Sequence, residues 1–192
     1  MSGVPAKVDQ VFKRYFGVGS VATPADVRAD LWMQGLGPPY ADESSPEYTS
    51  TVLEQYKMYV EMADRISSRR GLANTFFLTL NSAIFTAIGF FFVNHPHAAS
   101  WLVVFPAFVL VTECMAWFWQ IRSYRQLNSG KFAVIGALEE KLPASPYWRA
   151  EWTALGKGLD PSRYWQISHL EQWIPVLFAL AYVGGCIAVI AY

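Results

Sequence analysis

Glu113 is the single carboxylate inside a long apolar run, VLVTECMAWFW at 109–119. An anion in hydrocarbon is expensive, so an acid at that depth is paired, neutral, or part of a path for water and ions. Its candidate partners lie in another apolar run, where Thr75, Thr79, Ser82 and Thr86 recur at spacings of 4, 3 and 4. That spacing puts their hydroxyls on one side of a helix, and Asn74 and Asn81 form a shorter polar line beside them. Such a stripe either glues helices together or lines a wet path. Counted inward from the membrane edge, Thr75 and Thr79 flank the depth of Glu113, with Asn74 slightly shallower. A neutral carboxyl that donates one hydrogen bond costs far less there than an anion. The residues therefore predict a hydrogen-bond pin between two spans, with a water path as the sharper alternative.

Other chemistry is sparse. His95 and His97 make an H-x-H with no carboxylate or Cys nearby in sequence, which is weak ground for a metal. Cys114 and Cys186 fall inside apolar runs without a second thiol or His at ligand spacing, and read as small packing residues. No G-x-S-x-G, P-loop or H-E-x-x-H is present. No catalytic residue, metal ligand or cofactor is expected.

The elements that must position these residues are membrane spans. Of 192 residues, 53% are hydrophobic and only 16% charged, against roughly 25% charged in soluble domains. Zero net charge argues against nucleic-acid binding, which needs a basic stripe. Runs at 71–93, 100–119 and 174–192 each approach the roughly 20 apolar residues that cross a bilayer. Trp101, Trp117, Trp119, Trp173 and Tyr192 stand where interfaces would be. Every Lys and Arg lies in residues 1–70 or 120–173. The positive-inside rule then places the N-terminus and 120–173 in the cytoplasm and the chain end outside. The first 70 residues hold no apolar h-region, so no cleavable signal peptide is expected.

Two spans extend beyond the membrane. Thr51-Val52-Leu53-Glu54 has the capping-box form and predicts one helix from about 51 to 93, roughly 65 Å long. After the second span an apolar stripe continues through Ile121, Tyr124, Leu127, Ile135 and Leu142 until Pro143 stops it. The short connection at 94–99 forces these helices antiparallel. The expected fold is an all-α integral membrane protein with three transmembrane helices, the first two extended as a long antiparallel helical hairpin into a cytoplasmic stalk.

Around that hairpin the chain divides into an N-terminal arm (1–50), the hairpin itself (51–142), an aromatic-rich cap (143–173) and the third span (174–192). The arm carries amphipathic patches at 8–16 and 27–32, which could lie on lipid or clasp a neighbouring subunit, and then a Pro/Gly linker at 35–46. In the stalk Glu61 and Asp64 come level with Arg125 and Lys131, and Glu61 and Arg65 form an i,i+4 pair. Arg69, Arg70 and Arg122 lie at headgroup height. A capping box at 168–171 predicts a third helix starting near His169 with Pro175 inside it. Ala181, Gly184, Gly185 and Ala188 form small-xxx-small pairs that let another backbone come close.

The strings LEQYKMYVEMADRISSRRGLANTFFLTLN (53–81), IRSYRQLNSGKFAVIGALEEKLP (121–143) and HLEQWIP (169–175) resemble the RipA-type octameric small integral membrane proteins of bacteria. The resemblance covers roughly residues 53–180. It implies a homo-oligomer of eight copies in the bacterial inner membrane, in contact with lipid and with no assigned chemistry. The expected function is a non-enzymatic scaffold or pore. The alternative is a membrane-embedded enzyme or proton-coupled transporter centred on Glu113.

Overall fold

The computed structural model describes residues 22–95, 101–158, 160, 162–164 and 167–191, and every regular element among them is helical. Among the described residues three helices are long and apolar enough to span a membrane. The first element, α1 (Pro24–Leu31), opens with Pro at N1, where a missing N–H costs nothing. Thr23 donates from both its backbone N and its hydroxyl to Asp26 Oδ2 at 2.8 Å.

The second, α2 (Pro46–Asn94), runs 49 residues. It begins five residues before the expected start. Ser45 is the N-cap and accepts from the Tyr48 N–H at 3.1 Å, with Pro46 presetting the first turn. Thr51 already sits inside the helix, its hydroxyl donating to the Glu47 carbonyl at 2.9 Å. The T-x-x-E pattern is thus internal, and the Ser-Pro pair ahead of it sets the start.

The third, α3 (Trp101–Glu139), is the central element: α1, α2 and the last helix all pack on it. Its C-terminal half carries small and apolar residues on the packed side, with Ile121, Ala133, Ile135, Ala137 and Leu138 buried. Bonds join Tyr56 to Glu139, Asn74 to Trp117 and Asn81 to Glu113. Residue numbers rise on α2 as they fall on α3, so the two run in opposite directions.

After α3 the chain makes a π-helical turn (Pro146–Glu151), a short α turn (Trp152–Ala154) and a 3-10 turn (Gly156–Gly158). Gly156, at φ +68°, ends the α turn in the left-handed conformation that glycine adopts without penalty. The last helix, α4 (Ile167–Ala191), contains Pro175 and packs along α3.

The π turn is capped by a buried acid. Glu139 Oε2 accepts from Ser145 Oγ at 2.5 Å and from Trp148 N at 3.0 Å, and Oε1 from Tyr147 N at 2.9 Å and Tyr56 Oη at 3.2 Å. One carboxylate therefore satisfies two free N–H groups of the turn and ties it to α2. Burial and the neighbouring Glu139 push the Tyr56 phenol up to about 12.

In the flanks, α1, which carries most of the 27–32 patch, docks on α3 of its own chain. Arg28 binds Glu140 through two bonds of 2.8 and 2.7 Å, and Pro24 is buried over Gly136. Lys141 then gathers Trp32, Tyr48 and Glu43 around its ammonium. The patch at 8–16 lies outside the described residues, as does His97.

The stalk pairs are also different. Among the described residues no ion pair joins Glu61 or Asp64 to Arg125 or Lys131. Glu61 pairs with Arg65 on its own helix at 2.6 Å, and Lys131 lies 5.1 Å over the Tyr59 ring. Arg125 instead donates to Gln172 at 2.6 Å, because the first turn of α4 occupies its side of α3.

Candidate functional site

Polar groups inside the spans converge on Asn81, which is fully buried. Its amide nitrogen donates to the Phe77 carbonyl at 2.9 Å and to Glu113 Oε1 at 3.3 Å. Its amide oxygen accepts from Tyr182 Oη at 3.0 Å and from Cys114 Sγ at 3.5 Å. Tyr182 also lies 3.1 Å from the Asn81 carbonyl, so its single proton is shared between two acceptors on one residue. Residues from α2, α3 and α4 meet at this side chain, and every donor and acceptor of its amide is used.

An aromatic column surrounds the amide. Phe77 stacks on Trp117 with centroids 5.6 Å apart, Trp117 leans on Phe178 at 6.3 Å, and Phe178 on Tyr182 at 6.3 Å. Phe85 closes the column against Tyr182 at 5.9 Å. The Trp117 indole N–H donates to Asn74 Oδ1 at 3.0 Å, about two turns from Asn81 on α2. Rings of this kind exclude lipid and water from the amide, where each hydrogen bond then counts for more.

The expected partners of Glu113 are elsewhere. Thr75, Thr79, Ser82 and Thr86 all face outward from the protomer. Thr75 donates to the Gly71 carbonyl at 3.0 Å and Thr86 to the Ser82 carbonyl at 2.8 Å, so these hydroxyls are satisfied by their own helix. Glu113 meets Asn81, one turn further along α2 than Thr75 and Thr79 suggest. The interlock of Asn74 with Trp117 and of Asn81 with Tyr182 sets that register, which counting from a membrane edge does not detect.

Other predicted residues fall into place as follows. Gly184 and Gly185 have open space where a Cβ would stand, and Ala181 and Ala188 are exposed, so the small face of α4 is unpacked within one protomer. Arg69 is exposed, Arg70 Nε lies 3.6 Å from Glu171, and Arg122 lies 5.9 Å from the Trp119 ring centroid. His95 stacks on Phe91 at 4.7 Å, with Nδ1 3.1 Å from the Phe91 carbonyl. Between α2 and α4, beyond Tyr182, an apolar groove of 580 Å³ opens, walled by Phe85, Ile88, Phe92, Ala181 and Gly185 and floored by Pro106 and Ala107 of α3.

Sequence reasoning missed Tyr182 and Glu139. Tyr182 had a readable signal, since a hydroxyl in a 25-residue apolar helix must find a partner. Glu139 did not, because an acid beside Glu140 and Lys141 looks like part of a solvated face.

Three apolar helices clasped by an internal polar knot define an all-helical membrane protein. The chain belongs to the octameric membrane protein family (8xMP), whose family model matches residues 53–191. Neither the curated proteins nor the solved structures yield a match. The family's name carries homo-oligomerisation in the membrane, and the matched segment takes in α3, α4 and all of α2 from residue 53 onward.

Proposed function

We propose that this chain assembles as eight copies in the bacterial inner membrane and serves there as a non-enzymatic scaffold. In this reading α2 and α3 form a hairpin whose 46–70 and 120–139 halves stand in the cytoplasm as a stalk, the N-terminus is cytoplasmic and the C-terminus outside. The basic residues confined to 1–70 and 120–173 support that orientation.

The observation that carries the reading is how little of each span one protomer covers. Only 6% of the most apolar window of α2, 28% of that of α3 and 11% of that of α4 is buried. A closed ring needs two different, mutually complementary faces on every copy. The outward hydroxyls of α2 and the open Gly184–Gly185 face of α4 supply two such faces. Glu113 bonds to a carboxamide, which neither takes nor gives a proton readily, and that supports a pin rather than an acid–base centre.

A pore is the second reading, and one feature favours it: Thr75, Thr79, Ser82 and Thr86 form a polar stripe on the outside of α2, which a ring could turn toward its axis. Extraction in mild detergent should give a single species near eight times 21.6 kDa. A monomer that keeps its helicity would falsify the assembly. Planar bilayers then separate the two readings. Currents whose selectivity changes with Glu113→Gln or Thr79→Val establish the pore, and silence from a reconstituted octamer leaves the scaffold.

A further inference from the structure

The 580 Å³ groove and the hydroxyl stripe lie on opposite sides of one helix. Ile84 and Ile88 of α2 line the groove. Thr86 and Phe90 each stand two residues further on, about 200° around the helix, and so face away from it. Phe90 and Val93 continue the stripe beyond Thr86 at spacings of 4 and 3, and they are 72% and 80% exposed. Each copy thus carries a slot on one side of α2 and a row of projecting side chains on the other. Two different faces of this kind fit head to tail, the contact that closes rings by rotation.

Their depths agree. Numbers rise on α4 as they fall on α3, with Gln172 at Arg125 and Phe178 at Trp117, so α4 runs parallel to α2. Asn81 and Tyr182 are joined at 3.0 Å and stand level. Thr86 lies five residues beyond Asn81, and Cys186, on the groove wall, lies four beyond Tyr182. Rotation about the membrane normal leaves depth unchanged. Thr86 of one copy therefore comes level with Cys186 of the next.

The slot suits a helix better than an acyl chain. A Cβ on Gly89 or Gly185 would meet nothing within 4 Å, and both residues line the groove. Small residues on a span let another backbone approach, which a lipid tail does not require. The incoming face also suits an apolar slot, because the Thr86 hydroxyl already donates to the Ser82 carbonyl at 2.8 Å and strands no donor there. Membership in a family named for octamers supplies the occupant, another copy of this chain.

We propose that the Thr86, Phe90 and Val93 face of α2 in each copy seats in the α2–α4 groove of the next, against Ala181 and Gly185. This rests on the eight-copy assembly proposed above and names the contact that builds it.

Thr86→Cys tests the contact in full-length protein in its membrane, by oxidative cross-linking to the resident Cys186. Each copy then carries one thiol on each face, so denaturing gels should show a ladder from dimers up to octamers. Adding Cys186→Ala should abolish the ladder. Phe108→Cys, at the depth of the groove but on the exposed back of α3, should give none. Dimers alone, links that survive Cys186→Ala, or an equal ladder from Phe108→Cys would overturn the proposal. Gly185→Leu adds a side chain where its own protomer leaves open space, and should convert the solubilised octamer to smaller species. An octamer that tolerates it would overturn the proposal as well. A parent protein that is monomeric before any substitution removes the assembly itself, whereas an intact oligomer without the ladder removes this contact alone.

Discussion

Tyr182 of α4 reaches past α3 and donates to the Asn81 amide oxygen of α2 at 3.0 Å. Among the described residues α2 and α4 do not pack along their lengths, and this bond, the Phe85–Tyr182 contact and the Arg70–Glu171 pair help to join them. With α3 as the floor, two splayed helices enclose the 580 Å³ groove, and the Tyr182–Asn81 bond closes its inner end. The polar knot is therefore a spacer as much as a pin, holding two spanning helices apart across α3.

Tyr182→Phe deletes the hydroxyl and keeps the ring. Interhelical hydrogen bonds in membranes are worth about 0.6 kcal/mol on average and up to about 1.7, so a loss in that range is expected. Asn81→Ala should cost more, because Glu113, Tyr182 and Cys114 all lose a partner at once. Thermal dissociation of the detergent-solubilised oligomer measures both. An Asn81→Ala protein as robust as Tyr182→Phe would show that the amide is not the hub.

The spans were legible because hydropathy is a property of composition, and twenty apolar residues have few other uses. Pairing across the spans was not. Which turn of α2 faces Glu113 depends on how the Trp117 indole seats against Asn74 and Phe77, a matter of side-chain shape between residues distant in the chain. Depth alone points to Thr75 and Thr79, which face away. The docking of α1 left a trace, since small residues in FAVIGAL (132–138) mark a close approach. Nothing local said that Pro24 and Trp148 would fill it.

That close approach supports a prediction about the arm. A Cβ on Gly136 would stand 2.7 Å from Pro24 Cγ and 2.9 Å from the Trp148 ring, distances that force α1 or the π turn to move. Gly136→Ala should destabilise by about 1–3 kcal/mol, the range for overpacking a filled site. It should also speed cleavage at Glu43 by a glutamate-specific protease, because Glu43 is held by Lys141, next to the Glu140 that binds Arg28 of α1. Unchanged cleavage would place the strain in the π turn alone.

Glu139→Gln tests the capped turn. The carboxylate accepts four bonds, two of them from backbone N–H groups, whereas a glutamine turns one acceptor into a donor facing other donors. Bonds to charged groups are worth about 1.5–3 kcal/mol each, so a loss of at least that size is expected. Tyr56→Phe, which removes only the weakest of the four at 3.2 Å, should cost far less. Denaturation of the two variants in parallel measures the difference, and equal losses would mean that the turn is held by its aromatic packing.

Acid should release α1 before it melts the helices. The Arg28 guanidinium, which gives Glu140 two hydrogen bonds, holds the Glu140 carboxyl below its ordinary value of 4.5. A carboxyl with a folded value below its unfolded one contributes stability that is fully present above the unfolded value and fades as pH falls through the folded one. The attachment of α1 should thus be constant from neutral pH down to about 4.5 and loosen below it. Arg28 is more than half exposed, so solvent screens the pair and added salt should weaken it in the same direction. Hydrogen exchange of the α1 amides, corrected for the intrinsic rate at each pH, follows the release. In Glu140→Gln those amides should exchange faster at pH 7 and lose the step below 4.5. A step that survives in Glu140→Gln would move the titrating group to Asp26, whose carboxyl the Thr23 N–H and hydroxyl also hold low.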